Sequence, residues 1–163
     1  DLYDKDTLDK IIKRAVDFGD LQTRDNEDEK LSYAPNQKTP YTGWEKHIVD
    51  DGSLALLHFR NGKLDGPWLA WYKGGQKKLE GAWEKGQKVW IRGWYANGQK
   101  SNETRFKSGK IWFTLKWKFN GEKCPFTNLH EGNGVIVNYN THNGTEESRF
   151  HFKAGEYVPA SRR

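Results

Sequence analysis

Cysteine is nearly absent: Cys124 stands alone, so no intrachain disulfide and no cysteine-built zinc site can form. Methionine is missing altogether, and the sequence starts at Asp1. A removed export signal leaves such an end, and so does cloning; of the two locations, extracytoplasmic (periplasmic or secreted) is favoured over cytoplasmic. Aliphatics are scarce too. Leu, Ile, Val and Phe number 32 of 163 residues, close to the level at which chains stay disordered. No apolar run approaches the length of about 18 residues that a helical membrane span needs. The chain compensates with rings: 8 Trp, 7 Tyr and 8 Phe, each able to bury about 150–250 Å². The expectation is a folded chain with a shallow, aromatic core.

The formal charge of +5 is unevenly spread. Residues 1–50 carry 8 Lys+Arg against 12 Asp+Glu, whereas residues 51–163 carry 19 against 10. A basic body attracts nucleic acid, anionic lipid or an acidic partner. The plainer reading is that lysines flanking glycine turns keep strand edges soluble.

Residues 6–18 read as an amphipathic helix. Leu8, Ile11, Ile12, Ala15 and Val16 fall on one stripe. Asp6 is placed to cap its start and Gly19 to stop it. Thirteen residues are marginal for a free helix, so the stripe must dock on something. Residues 20–40 follow as a polar connector, disordered or extended, with a charge run from Arg24 to Lys30 and prolines at 35 and 40.

From residue 41 the pattern changes to short strands punctuated by glycine. Gly52, Gly75, Gly98, Gly121 and Gly144 form one series with steps of 23 residues. Gly86, Gly109, Gly132 and Gly155 form a second, again with steps of 23, and Gly62 sits one residue off its lattice point. This is a repeat array. Asp51-Gly52, Asn61-Gly62, Gly74-Gly75, Asn97-Gly98, Asn120-Gly121 and Asn143-Gly144 are dipeptides that tolerate positive φ in tight hairpin turns. Lys85-Gly86, Ser108-Gly109 and Ala154-Gly155 supply the weaker turn at the other end. Each half-repeat is one strand plus one turn. The body is then an up-and-down antiparallel meander of roughly nine or ten strands.

Side chains follow the same lattice. Trp71, Trp94 and Trp117 are 23 apart, and Pro67, Trp90, Phe113 and Ile136 form a second column on the same face. Trp83, Phe106, Leu129 and Phe152 form a third, which Phe59 joins after the one-residue slip. Glu80, Glu84, Glu103, Arg105, Lys107, Arg149, His151 and Lys153 alternate with this third set. The expectation is one face ridged with rings and one of mixed charge.

The segments WYKGGQKKLEGAW (71–83), WYANGQKSNETRF (94–106) and NGKLDGPW (61–68) resemble the variant MORN-repeat family, and YTGW at 41–44 resembles the opening of its first unit. The likeness covers residues 41–157, about five units, and fades at 113–134, where the Gln-Lys and the second Gly-Lys are lost. It implies a mainly β fold: an elongated, twisted antiparallel meander of 23-residue hairpin units behind a short N-terminal amphipathic helix. It divides the chain into a leader (1–40), an array (41–158) and a basic tail (159–163). Bacterial members of the family are often labelled toxin–antitoxin antitoxins, and relatives with a similar leader look exported.

Three function classes remain to be weighed. The first is a non-enzymatic scaffold, binding a partner protein or a second copy through an aromatic face of Trp71, Trp90, Trp94, Phe113 and Trp117. An apolar strip of that size is more than monomers usually expose. The plainer alternative is that these rings are core, with the helix as a lid at one end. The second is a binding module for a glycan or anionic lipid, with Tyr72 and Tyr95 as a platform on the face opposite the Trp column. Nucleic acid is disfavoured, because no recognised motif or basic helix accompanies the charge. The third is an enzyme. The glycines never lead from a strand into a helix, so they make no phosphate loop. His47, His58, His130, His142 and His151 occupy unrelated phases of the repeat and gather no metal. Cys124, His130 and Glu131, in the departure from consensus, are the best of a poor field. The expectation is therefore no catalysis, no metal and no cofactor. Asn102-Glu103-Thr104 and Asn143-Gly144-Thr145 match the N-glycosylation pattern, without a bacterial-type protein being expected to carry the sugar.

Overall fold

The computed structural model describes residues 2, 4–26, 29–140 and 144–159; expectations that fall on Asp1, Asn143 or the tail beyond 159 lie outside them. The fold is mainly β with one short helix. In chain order the elements are α1 (Lys5–Arg14), β1 (Val16–Asp17), β2 (Gln22–Asn26), β3 (Glu29–Tyr33), β4 (Gly43–Ile48), β5 (Leu54–Arg60), β6 (Lys63–Trp71), β7 (Lys77–Glu84), β8 (Gln87–Trp94), β9 (Lys100–Lys107), β10 (Lys110–Lys116), β11 (Gly134–Tyr139), β12 (Glu146–Lys153) and β13 (Glu156–Val158). Strands β4 to β10 follow one another across a single sheet, with β1 added parallel at the β4 edge. Strands β11–β13 form a second sheet and β2–β3 a third. Two compact units divide the chain, Asp1–Gly75 with Ala82–Gln87, and Gln76–Gly81 with Lys88–Arg163.

The turns carry out the 23-residue period, but their roles are exchanged relative to the sequence reading. Both central residues have positive φ at Asn61-Gly62, Lys85-Gly86, Ser108-Gly109, Glu131-Gly132 and Ala154-Gly155. That is the type I′ pattern, whose twist suits two-residue hairpins. At Gly52, Gly75, Gly98 and Gly121 only the glycine is left-handed. There the glycine N–H donates three residues back, as from Gly98 to the Tyr95 carbonyl at 2.9 Å, giving a type I turn closed by a left-handed glycine. The preceding Asp or Asn has a different task from the one its φ tolerance suggested. Asp51 accepts from Ser53 N, Asn97 from Gln99 N and Asn120 from Glu122 N, the side-chain mimic of a backbone turn.

The helix is shorter than its apolar stripe. Asp4, not Asp6, caps it by accepting from Thr7 N at 3.0 Å. It ends at Arg14 because Val16 and Asp17 leave to pair with Glu45 and Lys46 of β4. Gly19 sits at φ +91 in the turn that follows, and so does not stop the helix. Lys46 reaches back, donating to the Ile12 carbonyl at 3.4 Å and approaching Asp17 at 3.5 Å.

Strands β2 and β3 pair antiparallel within the stretch expected to be a connector. Gln22 to Asn26 pair with Tyr33 to Glu29, and Leu31 and Tyr33 are buried. Arg24 stacks 4.6 Å from the Tyr33 ring and donates to the Gln37 carbonyl. Ser32 N–H donates to the Gly62 carbonyl and Tyr41 N–H to the Ser32 carbonyl, which ties the hairpin to the first repeat. Two buried side chains on one strand suffice because the anchoring bonds are backbone ones.

The meander is interrupted where the repeat signal fades. Between β10 and β11, residues 117–133 hold only the bridges Trp117–Lys123 and His130–Asn133. Pro125 has no N–H to give to a ladder, and side chains substitute for it. Thr127 Oγ1 accepts from Val137 N, Asn128 Oδ1 from Val135 N, and Cys124 Sγ from Thr127 N. Leu129 and Val137 are fully buried there.

Candidate functional site

The parts of β7–β10 that belong to the second unit carry three rows of side chains. In the register of β8, β9 and β10, Trp90 lies opposite Arg105 and Arg105 opposite Phe113, while Arg92 lies opposite Glu103 and Glu103 opposite Leu115. Alternation along each strand puts these on one face, and Ile91, Thr104 and Thr114 on the other.

The first row alternates cations and rings. Lys77 Nζ lies 5.1 Å from the Trp94 ring, and one repeat later Lys100 Nζ lies 4.9 Å from the Trp117 ring. Each contact contributes about 0.5–1 kcal/mol at exposed sites. The second row is ionic. Lys77 pairs with Glu80 at 2.8 Å and Lys100 with Glu103 at 3.4 Å, while Arg92 spans the two carboxylates at 3.5 and 3.9 Å. The carboxylates are the sheltered members, 12% and 19% exposed, so this network is screened less than isolated surface pairs. In the third row Arg92 stacks 5.1 Å from Trp90. Across the sheet no carboxylate among the described residues pairs with Arg105. A recess of about 350 Å³ opens here, lined by Val89, Trp90, Arg92, Glu103, Arg105 and Phe106.

This arrangement corrects the expected division into a ring face and a charged face. Glu80, Glu103 and Arg105 share a face with Trp90 and Trp94, and Phe106, two residues on from Thr104, belongs to the opposite one. Trp90, Trp94, Phe113 and Trp117 are all half-buried. The strip is therefore a lattice of rings roofed by cations and not a bare apolar surface.

Trp71 lies in the first unit, half-buried, opposite Leu54 in register. There the equivalent lattice positions are apolar. Leu56 and Leu69 face each other at 0% and 3% exposure, and Lys46, the other register neighbour of Leu56, reaches to α1. One repeat later Leu69 becomes Arg92, and Leu56, after the one-residue slip, becomes Glu80 and then Glu103. Sequence reading missed these charged members. The signal was available as a column that changes from leucine to an ion pair when followed at 23-residue steps.

Tyr72 and Tyr95 do not make an open platform. Tyr95 donates its hydroxyl to the Trp117 carbonyl at 2.7 Å and sets its ring edge-on to Phe119 at 5.3 Å. Tyr72 is half-buried, and burial pushes its phenol up. Both carry turns, since Gly75 N–H donates to Tyr72 and Gly98 N–H to Tyr95.

Cys124, His130 and Glu131 are not brought together: among the described residues no hydrogen bond or ion pair joins them. Cys124 is buried at 2% exposure, 3.4 Å from the Tyr139 hydroxyl. Burial pushes the thiol up, but the bonds from Thr127 and Tyr139 outweigh it and leave the thiol below its ordinary value. Tyr139 is pushed up to about 12, first by burial and then by its bond to Cys124. His130 lies edge-on to Phe113 and Glu131 occupies a turn at φ +50. Among the described residues no three His, Cys, Asp or Glu gather as a metal site, and no helix is long and apolar enough to cross a membrane.

No protein-family model matches the sequence, and no curated protein or solved structure matches it.

Proposed function

We propose that this chain is a non-enzymatic repeat scaffold of the variant MORN type, and that it binds a partner protein through the β7–β10 face bearing Trp90, Trp94, Phe113 and Trp117. One observation carries the reading. The same lattice positions are the buried Leu56 and Leu69 in the first unit, beside Lys46 that reaches to α1, and become Glu80 and Arg92 one repeat later and Glu103 in the repeat after that. A ten-residue helix is about 15 Å long and serves one end of an array. The positions it leaves aside are built for a polar environment, with ring edges between fixed charges. Aromatic and arginine side chains together are what protein interfaces favour.

The test pairs the intact protein with a Trp90→Ala/Trp94→Ala/Trp117→Ala variant as baits in lysate of the source organism. Circular dichroism first establishes that the variant folds. A partner held by the intact protein and lost from the folded variant is the expected result. Equal capture by both overturns the assignment to this face and moves attention to the opposite face or the N-terminal hairpin. Glycan or anionic-lipid binding is the second reading, favoured by the excess of lysine in residues 51–163. Retention of liposomes or glycan beads by the same triple variant would select it.

A further inference from the structure

Resting on the scaffold reading, we infer that the partner segment is an acidic, proline-rich peptide in the polyproline II conformation, lying across strands β7–β10 with a three-residue period.

The argument starts from distance. Trp94 on β8 and Trp117 directly after β10 are equivalent positions two strands apart, and so are Lys77 on β7 and Lys100 on β9. Neighbouring strands are about 4.8 Å apart, so each motif recurs every ~9.6 Å across the sheet. A polyproline II helix advances about 3.1 Å per residue with three residues per turn, and presents the same side every ~9.3 Å. An extended β peptide presents the same side every ~6.6 Å and falls out of step within one repeat. The row reads Lys77, Trp94, Lys100, Trp117. A peptide turn that offers one proline and one acidic residue to this row meets a ring and a cation in each repeat, while its third residue faces water.

Charge supports the same occupant. Lys77, Arg92 and Lys100 lie on this face beside Glu80 and Glu103, and Arg105 adds a cation that no carboxylate among the described residues pairs with. Arg105 stands opposite Trp90 beside the recess. Backbone chemistry narrows the choice further. Polyproline II leaves its carbonyls unsatisfied, and lysine and arginine are donors without acceptor capacity. An α-helix uses its carbonyls internally and has none to offer those donors. Trp94 and Trp117 are only half-buried, and aromatic side chains line the grooves that recognise this conformation. Sheet twist of about 20–25° per strand limits the match to two repeats, so a short peptide suffices.

The test measures fluorescence anisotropy of labelled (Pro-Pro-Glu)4 against the intact protein. Beside it run (Pro-Pro-Lys)4 and a block isomer of the acidic peptide, the same composition with all its glutamates gathered between two proline runs. The expected result is binding of (Pro-Pro-Glu)4 about ten-fold tighter than the block isomer, with none by the lysine peptide. Lys77→Ala/Lys100→Ala, two half-exposed side chains, should weaken it about ten-fold again, with Arg105→Glu as an independent second variant. Equal affinity for the two acidic peptides, or no binding of either, overturns the inference. Competition separates it from the scaffold reading. A partner lost from the triple tryptophan variant but not displaced by (Pro-Pro-Glu)4 leaves the scaffold standing and removes the peptide. A partner retained by that variant removes the β7–β10 face from the scaffold reading, and the peptide inference with it.

Discussion

Thr104 and Thr114 face each other on neighbouring strands, buried at 6% and 2% exposure, with their hydroxyls 3.2 Å apart. At this point of the face two small side chains meet. Beside them, a Cβ added at Gly81 would meet the Trp90 carbonyl at 2.7 Å and Ile91 Cγ2 at 2.9 Å. Each threonine supplies the other's hydrogen bond, so the two must be changed together. Thr104→Val alone should lower stability by about 1–3 kcal/mol, since it strands a buried hydroxyl. The double change with Thr114→Val should come out close to neutral, and urea unfolding of the four proteins gives the coupling. A different residue-scale effect operates at Ser108, which holds φ +50 beside Gly109 at +75. Asn-Gly is the preferred pair for this turn, and Ser108→Asn should raise stability by about 0.5–1 kcal/mol, read from the unfolding midpoint. The period of the turns was legible in glycine spacing alone. Their types were not, because Asn97 and Asn120 were read for backbone tolerance when their side-chain oxygens do the work.

At the scale of elements, sequence patterns succeeded where burial is periodic and failed where backbone bonds decide. The helix stripe was readable from Leu8, Ile11 and Ile12, but Val16 belongs to the stripe by spacing and to β1 by pairing. The β2–β3 hairpin was not readable, since its apolar content is little more than Leu31 and Tyr33 and its anchorage is Ser32 N–H to Gly62. The irregular stretch around Pro125 was flagged by lost consensus, yet its substitutes, Thr127 and Asn128, carry no sequence signature of that task. Where β1 joins β4, Glu45 lies between Val16 and Leu57 in register at 8% exposure. Burial raises its carboxyl above the ordinary value, and nearby His47 lowers it only in part. A raised carboxylate favours the folded state most below the unfolded value, and that contribution is lost as pH rises through the folded one. Glu45→Gln removes the titration. Its stability advantage over the parent protein should therefore grow between about pH 4 and pH 7, and urea midpoints of both proteins at the two pH values measure it.

The whole molecule separates its charge, with a deficit of four positive charges in residues 1–50 and an excess of nine in residues 51–163. That separation and the mainly β repeat were visible in the sequence. The β7–β10 lattice was visible only in part, because Trp94 and Trp117 announce themselves while Glu80, Arg92 and Glu103 matter through the register that joins them. The charges fall into two groups that salt should distinguish. Glu80 and Glu103, mostly sheltered, hold Lys77, Arg92 and Lys100 within 2.8–3.9 Å, too close for a counterion to intervene. An incoming acidic ligand instead feels the net positive field at range, and the Debye length contracts from about 10 Å at 0.1 M salt to about 3 Å at 1 M. Between those two concentrations the unfolding midpoint in urea should hardly move, while affinity for an acidic peptide should fall by about ten-fold or more, mainly through slower association. A fall in stability parallel to the fall in affinity would mean that the ladder is loosely held and solvent-screened. The face would then be a solvated surface with no fixed geometry to offer a partner.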